Sequence, residues 1–122
     1  MRETESKILS TQVFNLAAGT SSSETIQTDG SFEFRIDDIV ANVTSPDLLI
    51  SIKYNSDKTL VEGTYINNVC NIAGNGGPLK KISSIQIKSN SSIIVEVKNE
   101  SAAANKVQIS FIGKKLIKWK NQ

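Results

Sequence analysis

From Leu48 to Tyr54 every second residue is apolar, and the same two-residue period returns wherever β-branched side chains are dense. Leu48, Ile50, Ile52 and Tyr54 fall on one face, with Leu49, Ser51, Lys53 and Asn55 on the other. Phe32, Phe34 and Ile36 alternate with Ser31, Glu33 and Arg35. Nearer the C-terminus, Ile93, Val95 and Val97 alternate with Ser92, Ile94, Glu96 and Lys98, and Val107, Ile109 and Phe111 with Lys106, Gln108 and Ser110. A strand with one buried face needs this period, whereas a helix needs apolar residues three and four apart, and no segment sustains that spacing. Weaker strand candidates cover 7–16, 24–28, 38–43, 59–66, 81–88 and 114–120. Between them, Asp29-Gly30, Ser45-Pro46-Asp47, Asn55-Ser56-Asp57 and Ser89-Asn90-Ser91 tolerate tight or left-handed backbone and mark turns. Residues 99–105, with three consecutive alanines, are too short for an independent helix and read as a hairpin connection.

Eight to ten short strands with closely spaced turns predict an all-β chain, a single antiparallel β-sandwich spanning residues 1–122. The jelly-roll type is preferred over other Greek-key sandwiches, because it uses about eight strands. An immunoglobulin domain would usually carry a tryptophan on a central strand, and the single tryptophan here is Trp119. At 122 residues and 39% hydrophobic content one core is affordable and disorder is not expected.

Chemistry is narrowed by what the chain lacks. It has no histidine and one cysteine, which closes Ser-His-Asp, Cys-His and His-zinc arrangements as well as an internal disulfide. No other catalytic set stands out, so the expectation is a non-enzymatic protein without a cofactor. The N-terminus carries both charge signs and leads into no long apolar run, which reads as a soluble, unprocessed chain with no membrane insertion. The net charge of +2 hides a gradient: 5 basic and 10 acidic residues up to Glu62, then 9 basic and 2 acidic. That polarity could support head-to-tail contacts between copies, although strands of the two halves interleave in a sandwich and need not form separate surfaces.

Several segments carry a functional reading beside a plainer one. Asn71 to Lys81 is glycine-rich and ends in lysines, but it matches neither phosphate-loop pattern and no helix follows, so an exposed loop is the default. Asp37-Asp38, with Asp29, Asp47 and Asp57, suggests calcium, yet the spacing fits no calcium loop and solvated loop acids suffice. Asn42-Val43-Thr44, Asn90-Ser91-Ser92 and Asn99-Glu100-Ser101 satisfy the glycosylation pattern and mean little beyond an abundance of Asn, Ser and Thr. Cys70 reads as a small buried side chain. Phe32 and Phe34 could stack bases, but their alternation with charged residues turns them inward, and no nucleic-acid partner is expected.

The segment Gly113 to Lys120 combines four lysines and Trp119 without an acid. A phosphate-binding patch, a membrane contact and a final strand compete. As a strand it places Lys115, Ile117 and Trp119 on one face and Leu116, Lys118 and Lys120 on the other, which suits an edge strand whose lysines discourage stray pairing. Docking against a partner subunit is the next reading, because Trp119 would otherwise be an exposed aromatic. Lys114, Lys115, Lys118, Trp119 and Lys120 are therefore the candidate subunit-contact residues.

The run Ser92-Ile93-Ile94-Val95-Glu96-Val97-Lys98-Asn99-Glu100-Ser101, followed by Lys106-Val107-Gln108-Ile109-Ser110-Phe111-Ile112-Gly113-Lys114-Lys115-Leu116, resembles the closing strands of small β-sandwich virion proteins of bacteriophages. In that group an apolar strand ending in Asn precedes a Ser/Ala loop and a second strand ending in a Phe-x-Gly-Lys-like turn. The resemblance covers about a fifth of the chain, and nothing in the N-terminal half extends it. It implies a structural capsid protein that caps vertices or decorates the shell, located in the virion, with other capsid proteins and copies of itself as partners. It carries over no catalytic residue. The alternative from another class is a carbohydrate-binding or adhesion module, for which Tyr54, Tyr65 and Trp119 are the stacking candidates.

Overall fold

The computed structural model describes residues 2–28, 30, 32–55, 57–72 and 85–118. Its elements are β1 (Arg2–Ser10), β2 (Phe14–Leu16), β3 (Ser21–Gln27), β4 (Phe32–Val43), β5 (Leu48–Tyr54), β6 (Lys58–Tyr65), a short 3₁₀ turn (Ile66–Asn68), β7 (Asn71–Ile72), β8 (Ile85–Ile87), β9 (Ser92–Asn99) and β10 (Asn105–Lys118). The strands make two packed sheets, so the chain is a nearly all-β sandwich. In the first sheet β10 is central: β1 and β2 follow one another along one of its sides and β4 lies on the other, with β8 and β7 beyond β4. In the second the order is β3-β9-β5-β6. Pairing is antiparallel except where Asn71 and Ile72 run parallel to Val40 and Ala41.

The two-residue period does what it predicts. Leu48, Ile50, Ile52, Ile93, Val95, Val97, Val107, Ile109 and Phe111 are buried, and together with Phe34, Ile36 and Ile39 they fill the space between the sheets. Each such side chain taken fully from water contributes about 1.5–3 kcal/mol, which makes this interface the main source of stability.

Three expectations change. First, 99–105 is not a hairpin connection: β9 lies in one sheet and β10 in the other, and the intervening residues arch over the end of the sandwich. Both strands carry an apolar face, and placing them in opposite sheets lets those faces meet across the core. Second, the strand candidate at 107–111 and the described part of the one at 114–120, residues 114–118, belong to one strand that runs through Gly113 instead of turning there. Third, that strand is not an edge, because β1 and β4 flank its C-terminal half.

Gly113 has a particular reason to be glycine. The register between β10 and β4 slips so that Ile112 faces Asp38 while Gly113 faces Ile36, leaving Asp37 as an extra residue on β4. At this bulge the β4 backbone closes over β10, and a Cβ on Gly113 would stand 1.8 Å from the carbonyl oxygen of Arg35. The bulge also merges the two strand candidates at 32–36 and 38–43: one inserted residue lets Ile36 and Ile39, three apart, both face inward.

Candidate interaction surface

The outward face of the first sheet is assembled in rows by the register. Ser6, Lys114 and Arg35 form one row, Ile8, Ile112 and Asp38 the next, and Ser10, Ser110 and Val40 the third. Ser10 and Ser110 hydroxyls bond at 2.8 Å, which confirms that this parity points away from the core. Ile8 and Ile112, directly paired across β1 and β10, remain 60% and 36% exposed and, among the described residues, are the large apolar side chains of this face that stand in solvent, Val40 and Leu116 being half-buried. They border an open depression of about 540 Å³ whose rim includes Lys7, Lys114 and Asp37. Asp37 Oδ1 accepts from Arg35 Nε at 3.0 Å, and both side chains are partly in solvent. The result is an apolar pair ringed by both signs of charge, a composition suited to protein contact.

Of the predicted contact residues, Lys114 and Lys115 have described side chains, and these take opposite faces of β10. Lys114 lies on this outward face. Lys115, one residue on, takes the opposite parity, and its Nζ sits 4.6 Å from the centre of the Phe32 ring, so its stem covers the end of the core while its charge faces the aromatic. Lys118 pairs in register with Arg2 at the end of β10. Trp119 and Lys120 lie outside the described residues. Ile8 and Ile112 were missed by the sequence reading, although a signal was present: each breaks the alternation by standing beside an inward apolar neighbour, Leu9 or Phe111.

The other candidates have structural duties. Asp38 Oδ1 accepts from the Ile39 N–H at 2.9 Å and from Asn71 Nδ2 at 2.8 Å, which uses its carboxylate to bind the bulge to β7. Asp29 and most of the glycine-rich loop, 73–81, lie outside the described residues. Among the described residues no three His, Cys, Asp or Glu side chains gather to hold a metal ion. Cys70 is buried, and desolvation, with a smaller contribution from the Asp38 charge, pushes its thiol up to about 12, so it stays protonated and a poor nucleophile at neutral pH. Tyr54, a stacking candidate, is half-buried, with its hydroxyl accepting from the Lys88 N–H at 3.2 Å and donating to Ser91 Oγ at 3.3 Å. Tyr65 is 48% exposed on the edge strand β6.

Comparison with protein-family models, with curated proteins and with solved structures finds no match.

Proposed function

We propose that the chain is a non-enzymatic structural protein of a bacteriophage virion, a jelly roll that caps capsid vertices or decorates the shell through contacts with other capsid proteins and with its own copies. The observation that carries this reading is the order of strand pairing. If β1 with β2, and β7 with β8, are each counted as one position, the described strands make eight positions, and first pairs with last (β1/β2 with β10), second with seventh (β3 with β9), third with sixth (β4 with β8) and fourth with fifth (β5 with β6). This order supports reading the chain as a long hairpin rolled up until β10 meets β4 and β9 meets β5, with the short β7, which runs parallel to β4, as an addition to the scheme. Such a roll is the architecture shared by many capsid and lectin domains. Fold analogy links the roll to a shell, and the resemblance of the β9–β10 segment supports that choice.

Mass spectrometry of density-purified phage particles, followed by electron microscopy, tests the proposal. The chain is expected at a fixed stoichiometry and at a defined lattice position; absence from the particles overturns the reading.

A second reading, sugar binding, draws on the lectin side of the same architecture and on the exposed Tyr65. Selective retention on a glycan array that is lost in Tyr65→Ala would favour it over the shell.

A further inference from the structure

The two sheets have open edges that are protected unequally. On β6 the pairing with β5 slips twice, between Ile50 and Ile52 and between Ile52 and Lys53, and Gly63 sits at a φ of +50°, so this edge is bent away from simple pairing. On β3 the inward-parity position holds Glu24, whose Oε1 accepts from the Gln12 N–H at 2.6 Å, an acid that hinders a neighbouring strand. By contrast, β1 pairs with β10 over nine residues with no slip, and among the described residues nothing pairs with its other side.

The direction of its free backbone groups follows from one pair. The Thr11 N–H donates to the Ile109 carbonyl at 2.9 Å, and the Ile109 N–H donates to Thr11 Oγ1 at 3.1 Å. This pair continues the β1–β10 register, so odd-numbered residues of β1 direct their backbone groups at β10, while Thr4, Ser6, Ile8 and Ser10 direct theirs to the open edge. A second copy of β1 running antiparallel must then match even residues with even ones. Only three symmetric alignments pair seven or more residues. Centred on Glu5, the alignment sets Glu5 against its own copy; centred on Lys7, it sets Lys7 against its own copy. Centred on Ser6, it pairs all nine residues, exchanges both backbone bonds between the two Ser6 residues, and places Glu5 opposite Lys7 twice, at close positions not bridged by backbone bonds.

We infer that two copies of this chain associate through β1, antiparallel and centred on Ser6, to join their first sheets into one continuous sheet. The inference deepens the proposed assembly role by naming one of its contacts, and it rests on that reading only for its biological purpose. An isologous contact of this kind closes on itself and makes a dimer.

Light scattering across a concentration series of the purified chain is the test, with thermal unfolding recorded for every variant. The wild-type chain is expected to dimerise. Ser6→Pro removes an N–H that points away from β10, so the fold should persist while dimerisation is lost. Glu5→Lys or Lys7→Glu should each weaken the dimer by about tenfold, because one change converts two opposite-charge pairs to like-charge pairs, and the double exchange Glu5→Lys with Lys7→Glu should restore it. This charge series decides the matter should the proline variant fail to fold. A wild-type monomer at all concentrations, or failure of the double exchange to restore a dimer, overturns the inference. A dimer that survives Ser6→Pro also overturns it, yet leaves self-assembly standing on another surface.

Discussion

The two ends of the sandwich are closed by different chemistry. At one end three connections meet on two buried asparagines. Asn99 Nδ2 lies within bonding distance of the carbonyls of Leu16 (3.1 Å), Ala17 (3.3 Å) and Ala103 (2.8 Å), while its Oδ1 accepts from the Ser101 N–H at 3.0 Å and hydroxyl at 2.8 Å. Asn105 exchanges two bonds with the backbone of Ser45, at 2.9 and 3.1 Å. At the other end hydroxyls do most of the buried work: the Ser91 N–H donates to Thr28 Oγ1 at 3.1 Å, which donates to the Lys88 carbonyl at 2.6 Å, and Ser89 Oγ donates to the Phe32 carbonyl at 3.0 Å, while the amide of the exposed Asn55 also contributes, its Oδ1 accepting from the Ser92 N–H at 2.8 Å. A primary amide has two donors and two acceptor sites on one rigid plane, so it can hold several strands at once; a hydroxyl has a single donor and two acceptor sites on one rotating atom. The difference teaches that stability at the first end is concentrated in single residues and at the second is spread out.

The largest effect should therefore come from Asn99→Ala. It removes a fully buried amide and leaves the Leu16 carbonyl without this buried partner and the Ala17 and Ala103 carbonyls and the Ser101 N–H without part-buried ones, and urea unfolding should show a loss of about 3 kcal/mol with an unchanged slope. A loss below about 1 kcal/mol would mean that water enters and that the end is not closed as described. Thr28→Val, nearly isosteric, leaves the Ser91 N–H and the Lys88 carbonyl unmatched and should cost about 2 kcal/mol. Ser91, just before β9, and Asn99 at its end are eight residues apart, about 26 Å along an extended chain, so the two losses should add in the double variant. Clear non-additivity would show that the ends communicate.

A third measurement uses a group that belongs to neither end. The Cys70 thiol is raised from 9.0 to about 12 by burial, with Asp38 adding to the shift. Below about pH 9 the thiol is neutral whether the chain is folded or unfolded, and its contribution is complete. Above that the unfolded thiol ionises first, so stability is lost progressively as the pH climbs toward 12. Between pH 8 and pH 10 the wild-type chain should lose about 1.4 kcal/mol more than Cys70→Ala. Identical pH profiles would place the thiol in contact with water.

How much of this was legible in the sequence depends on how local the cause is. Alternation in 48–54, 93–97 and 107–111 records which side of each strand is buried, so the strands and the sandwich could be read directly. The bulge was written there too: the apolar positions 32, 34, 36, 39 and 41 slip by one across Asp37-Asp38, and these acids, read as a possible cation site, mark the inserted residue. Strand neighbours were less accessible. Nothing local tells β10 that β1 and β4 flank it, because those partners lie about 70 to 110 residues away in the chain, and so the lysines after Gly113 read locally as an edge. Likewise the side of the sheet on which Lys114 and Lys115 part company follows from alternation, but the Phe32 ring beneath Lys115 does not. For Asn99 and Asn105 a hairpin was the natural local reading, since the carbonyls that their amides serve belong to connections far away in sequence.

The smallest expected change is also the sharpest check on the contrast between the ends. Tyr54→Phe removes a hydroxyl that accepts from the Lys88 N–H at 3.2 Å and donates to Ser91 Oγ at 3.3 Å, both long bonds in a partly buried position. Its ring, which contributes most of its packing, stays in place. If the hydroxyl end is a set of separate small braces, water replaces the lost partner and the cost stays below about 1 kcal/mol. If Thr28, Ser91 and Tyr54 instead act as one polarised chain, the cost approaches that of Thr28→Val, and the Thr28→Val/Tyr54→Phe double variant costs far less than the sum of the two. That result would make the hydroxyl end as concentrated as the asparagine end, carried by a network in place of a single residue.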